Sequence, residues 1–210
     1  MNTQAAVSDE AVSVRDQVES VLNDVGIDWH TWPQAEENFG NLLKKITHDN
    51  YRLQYGWPPV GGRIAQLVRD DVVVDVQRQP LKPFRLVLRE RITPSLKSNP
   101  IAPRYGTNSL TELPQTPVQL GETERQAASR VLKSLGIALT ESEIAHELLP
   151  VSTQEVISTT ESEFFPGVFQ GVRHCRVVLP SLKDKHYREE YRVHNTMGIT
   201  LVYGWTPIRQ

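Results

Sequence analysis

The chain changes its hydrophobic period once, near Tyr51, and this change limits its fold more than any other feature of the sequence. Before it, apolar residues recur at helical spacing. Val14, Val18, Val21, Leu22 and Val25 predict a helix over residues 13–25, and Gly26 supplies a left-handed stop. Pro33 opens a second helix reaching Ile46, with Phe39, Leu42, Leu43 and Ile46 on one face. Trp29 and Trp32 fall in the turn, placed to wedge the pair together. Helices this short persist only when buried. Residues 1–50 therefore read as a tail and a helical hairpin docked on the remainder of the chain.

From Tyr51 onward the pattern becomes short β-like runs broken by Pro and Gly. Strands are predicted at residues 64–68, 72–77, 84–92, 155–158, 174–179, 190–193 and 199–203. Phe84, Leu86 and Leu88 alternate with Arg85, Val87 and Arg89, which gives one buried face and one largely basic face. Residues 93–117 hold five prolines (Pro94, Pro100, Pro103, Pro114 and Pro117) and read as a long loop. One helix, 124–135, returns among the strands. Two helices, strands, one helix and more strands make an α+β protein, with residues 51–210 as its body.

Composition narrows the function classes. With 39% hydrophobic and 23% charged residues, the 210-residue chain is neither a disordered tail nor a membrane span. A net charge of −2 excludes wholesale coating of nucleic acid, although not a local basic patch. Cys175 is the only cysteine, so neither a disulfide framework nor a cysteine zinc cluster can form. The first ten residues lack the basic start and apolar run of a secretory leader, and a cytoplasmic address is expected.

One segment carries chemical content. Residues 120–137 read Leu-Gly-Glu-Thr-Glu-Arg-Gln-Ala-Ala-Ser-Arg-Val-Leu-Lys-Ser-Leu-Gly-Ile. Thr123 can cap the helix, and Gln126 can complete a capping box. Ala127, Ala128, Val131, Leu132 and Leu135 form an apolar face that ends at Gly136. A plain capped amphipathic helix accounts for all of this.

The segment also resembles the Nudix box of the Nudix hydrolase superfamily. Gly121-Glu122-Thr123 matches the entry to its helix, Ala127-Ala128 a common alanine pair, and Gly136-Ile137 its exit. The rest of the box is aligned on that exit. Ser129 and Arg130 fall on the Arg-Glu pair, Val131 on the apolar position, and Lys133 and Ser134 on the paired glutamates. Gly26, Ile27 and Trp32, the Phe165-Pro166-Gly167 segment, and Tyr187, Tyr191, Tyr203 and Trp205 extend the likeness over most of the chain. The resemblance implies a Nudix-like mixed β-sheet between helices, preceded by the helical hairpin.

It also implies a degenerate box. Family members hold Mg²⁺ with carboxylates on one helical face, and hard oxygen ligands are what that ion requires. Arg130 and Lys133, at i and i+3, place two positive charges there instead. The leading expectation is a pseudoenzyme: a binding or assembly module for a phosphorylated nucleotide or a protein partner, with no cofactor. Its ligand-binding candidates are Arg85, Arg89, Arg130, Lys133 and Phe165. The alternative is a divergent hydrolase of nucleoside diphosphate-linked substrates that uses Mg²⁺ through Glu122, Glu124, Glu161 or Glu163.

A third expectation concerns RNA. Arg78, Lys82, Arg85, Arg89, Arg91, Lys97 and Arg104, against Glu90 alone, make a basic strip that could contact RNA phosphates. A solvated strand face and a soluble loop explain the strip better. His174, His186 and His194 lack the spacing of a zinc site. His174 and Cys175, as neighbours on a strand, point to opposite faces and cannot form a nucleophilic pair.

Overall fold

The computed structural model describes residues 5–56, 62–79, 83–93, 96–100, 112–194 and 198–208. In chain order these form α1 (Ala5–Asp24), α2 (Ala35–Thr47), β1 (Tyr51–Gly56), β2 (Ile64–Arg78), β3 (Phe84–Thr93), β4 (Leu96–Pro100) and β5 (Gln115–Pro117). Next come α3 (Glu124–Ser134), α4 (Glu141–Glu147), β6 (Leu149–Glu161), β7 (Val168–Leu179), β8 (Glu190–His194) and β9 (Thr200–Pro207). The expected α+β class and the N-terminal helical hairpin are both present. No helix among the described residues is long and apolar enough to cross a membrane.

Contacts divide the chain into two units: residues 1–70 with 155–173, and residues 71–154 with 174–210. In the first, the hairpin buries Val18, Leu22, Trp29, Trp32, Phe39 and Leu42 against Ala65, Leu67, Phe165 and Val168. Trp29 stacks on Phe39 with ring centres 4.1 Å apart. The Trp32 indole N–H donates to the Pro166 carbonyl at 3.0 Å, pinning the Phe-Pro-Gly loop to the hairpin turn. Here β1 pairs antiparallel with β2 from Tyr51↔Arg69 to Gly56↔Ile64. Asp70 is bound by Arg173 at 2.7 Å and Arg52 at 2.9 Å.

In the second unit β3 pairs antiparallel with β9, β9 with β8, β3 with β4, and β5 with β2. The α3 helix packs on one face of these strands. Ala127, Ala128, Val131, Leu132 and Leu135 share a core with Val72, Val74, Val76, Leu86, Cys175, Val177, Leu179, Tyr191 and Tyr203. Two fully buried alanines let the helix backbone approach the strands closely, and Leu132 fills the space beside them. Val72, Val74 and Val76 alternate along β2, as do Cys175, Val177 and Leu179 along β7, so each strand presents one side to the helix.

The elements differ from expectation in several places: α1 begins at Ala5, not at 13, β6 at Leu149, not at 155, and β7 at Val168, not at 174. The runs 64–68 and 72–77 are one strand, because Asp70 finds partners on flanking strands instead of marking a turn. Tyr51–Gly56 is a strand whose alternation was visible. The loop over 93–117 contains β4 and β5, while 101–111 lie outside the described residues. The short α4 has a complete capping box, Thr140 with Glu143, which is itself a sequence signature.

This packing has two measurable consequences. Gly167 has φ +84°, and a Cβ there would lie 2.9 Å from Cγ1 of Ile27. Gly167→Ala should cost about 1–2 kcal/mol in urea unfolding, since it adds backbone strain to a clash. Burial pushes the Tyr203 phenol up to about 12 from 10.0. Its folded pKa is raised, so its contribution is whole below pH 10 and is lost as pH rises toward 12. Alkaline unfolding should therefore show a loss of roughly 2–3 kcal/mol over that window, and Tyr203→Phe should remove it.

Candidate functional site

The Nudix-like segment folds as the capping residues dictate. The Thr123 hydroxyl accepts from the Gln126 N–H, and the Gln126 side chain accepts from the Thr123 N–H at 2.8 Å. Gly136, at φ +78°, ends the helix in the left-handed conformation. Arg130 and Lys133 project from α3 as expected, but their fates differ.

Arg130 is held wholly by its own chain. Its Nε donates to Glu122 Oε1 at 3.0 Å and its Nη2 to Glu122 Oε2 at 2.8 Å, a two-pronged pair. Nη1 donates to Thr116 Oγ1 at 2.8 Å, and Nη2 also to the Pro117 carbonyl at 2.7 Å. Glu122 accepts in addition from the Gln119 N–H at 2.9 Å. The Arg130 hydrogen bond depresses the Glu122 carboxyl, and Glu122 in turn raises the guanidinium. The result is a clasp joining α3, the loop before it, and β5. Arg130 was expected to meet a ligand; with these donors already engaged, it fastens the box loop.

The other candidates sort by their surroundings. Lys133 is exposed on α3, and Glu124 is half-buried in its first turn. Phe165 is 2% exposed, with its ring centre 5.7 Å from that of Trp32. It closes a core and offers no stacking surface; Phe164 beside it is exposed. Glu161 accepts from the Gly167 N–H at 2.8 Å, bracing the turn there, and Glu163 is exposed.

The basic strip is broken up in the same way. Arg78 pairs with Asp184 at 3.1 Å and lies 3.7 Å over the Tyr187 ring. Arg85 donates from Nε to Asp75 Oδ1 at 2.6 Å. Arg89 donates to the Trp205 carbonyl. Arg91 is exposed. Lys82 and Arg104 lie outside the described residues, as does the side chain of Lys97.

The donor set does not fit the divalent ion that the box resemblance implies. Arg130, Lys133 and Ser134 stand at its carboxylate positions, and Glu122, in the loop before the helix, is already paired with Arg130. Among the described residues no group of three His, Cys, Asp or Glu side chains is placed to hold a metal.

No protein-family model and no curated protein matches the chain. Among solved structures it is similar to the Ap4A hydrolase of C. elegans, at 17% identity over 67% of this chain and 80% of that one, with a TM-score of 0.32. The E. coli dihydroneopterin triphosphate pyrophosphohydrolase is similar at 21% identity over 65% and 78%, also with a TM-score of 0.32.

The clasp should register in acid. Because the Glu122 pKa is depressed on folding, its contribution is whole above the ordinary value of 4.5 and is lost as pH falls through the depressed one. Arg130→Met should cost about 1–2 kcal/mol near neutral pH, allowing for its partial exposure. That difference from the parent should shrink in denaturant titrations as pH falls below 4.

Proposed function

We propose that this chain is a non-catalytic binding or assembly module built on a Nudix-like frame whose metal position has become an internal ion pair. The observation that carries this reading is the Arg130 clasp. A guanidinium occupies the place of a metal-binding carboxylate in the box-like segment, and it is bound by Glu122, Thr116 and Pro117.

Physical chemistry favours this reading over hydrolysis. A divalent ion would have to displace Arg130 from Glu122, breaking a two-pronged charge-assisted pair to gain a single carboxylate. Mg²⁺ keeps several waters and is held by one or two carboxylates together with substrate phosphates, and here it would meet an adjacent guanidinium and an exposed Lys133. Such a surface suits a phosphorylated nucleotide or an acidic protein partner better than a cation. In this reading the box helix keeps its packing role, and its charged positions serve assembly.

The test is a turnover assay. Purified protein should release neither phosphate nor monophosphate from a panel of nucleoside diphosphate derivatives with Mg²⁺ or Mn²⁺, at any level above buffer. Metal-dependent release that Glu122→Gln or Glu124→Gln abolishes would overturn the proposal and establish the hydrolase alternative.

A further inference from the structure

The strand face opposite α3 carries a polar row in the middle of an apolar run. Asp75 interrupts Val72-Val73-Val74 and Val76, and its side chain is fully buried. Its Oδ1 accepts from Arg85, while Oδ2 accepts from Gln77 at 2.9 Å and from Arg176. Three strands therefore meet at one carboxylate: β7 through Arg176, β2 through Asp75, and β3 through Arg85. On the far side of β3, Arg85 lies opposite Thr206 of β9, and Val87 opposite Gly204.

Arg89 completes the row. A Cβ on Gly204 would lie 3.0 Å from Arg89 Cγ and 3.2 Å from its Nε, so the arginine lies across the space the glycine leaves. A Cβ at 204 would oblige the Arg89 side chain to give way by a few tenths of an ångström.

Donors in this row are left over. Arg89 Nε, Arg176 Nε and Thr206 Oγ1 are buried and have no hydrogen-bond partner among the described residues. Asp70, Asp71 and Glu90, the other carboxylates of β2 and β3, accept from neither Nε. A buried guanidinium N–H without an acceptor is costly, and native proteins rarely leave several on one face. Asp75 accepts from Arg85, Gln77 and Arg176 but from none of these three atoms. These three atoms are themselves covered, and the row reaches the surface beside them, where the side chains of Arg85 and Arg176 remain 17% and 29% exposed.

We propose that Arg85, Arg89 and Thr206, on the adjacent strands β3 and β9, form an oxyanion site that takes the phosphate group of a small phosphorylated molecule. Guanidinium forks match phosphate oxygens in pairs, and the Thr206 hydroxyl adds a third donor. Asp75, itself held by Arg176 and Gln77, then acts as a positioning residue that fixes Arg85 before the anion arrives. The site lies on the opposite side of the strands from the box helix and does not depend on how the box is read.

The test uses the full chain with inorganic phosphate, inorganic pyrophosphate, AMP and ADP in thermal unfolding and isothermal titration. Phosphate or pyrophosphate should raise the Tm, by roughly 5 °C at a hundredfold excess over Kd. Thr206→Val, nearly the same size and shape, and Arg89→Lys, which keeps charge but loses the fork, should each weaken binding about tenfold. Gly204→Ala, which makes Arg89 give way slightly, should weaken binding less than either. Tighter binding of AMP or ADP than of the inorganic ions would identify a nucleotide source for the phosphate; equal binding would identify the free anion. No shift with any probe, an equal shift with sodium chloride at matched ionic strength, or unchanged affinity in folded Thr206→Val and Arg89→Lys would overturn the proposal. None of these results bears on turnover, so the two proposals fail separately.

Discussion

The second unit depends on how closely α3 can lie on the strands beneath it. Ala127 and Ala128 set that distance, and the valines of β2 and β7 fill it without polar interruption. Once the helix is seated, its charged positions are fixed in space, as are the loop before it and β5. Arg130 then needs no adjustment to reach Glu122, Thr116 and Pro117, so the clasp results from the packing and contributes a modest further increment. The order of dependence runs from apolar contact to ion pair.

The strand side away from α3 is organised on a different basis. There a single carboxylate draws arginines from two neighbouring strands, and a second carboxylate, Asp70, does the same in the first unit with Arg52 and Arg173. Such pairs add little net stability over apolar residues of similar size, but removing one partner is expensive. They fix which strand lies beside which, because a slipped register would strand a buried charge. Local order in both units therefore rests partly on charges whose near cancellation the net value of −2 conceals.

Much of this architecture could be read from the residues in order. The helical periods, the stops at Gly26 and Gly136, and the Thr123 cap all act over a few positions, and each appears where expected. What escaped is non-local. Arg69-Asp70-Asp71 resembles a turn until Arg173, over a hundred residues away, is known to lie beside it. Arg130 looked available because Thr116 and Pro117 lay in a stretch read as loop. Phe165 looked like a ligand platform because Trp32, which covers it, comes from the other end of the sequence. Arg176 carried one overlooked hint: it alternates with buried Cys175 and Val177 on a strand whose other side had to face something polar.

The lone cysteine gains a practical meaning from its place in this scheme. Cys175 is 4% exposed and sits among the residues that α3 covers. A thiol reagent can reach it only when that helix lifts or the strands part. Its rate of alkylation is thus a built-in clock for the opening of the second unit, read without introducing any label. Because the chain has no second cysteine, the signal comes from a single atom at the foot of the helix that organises the unit.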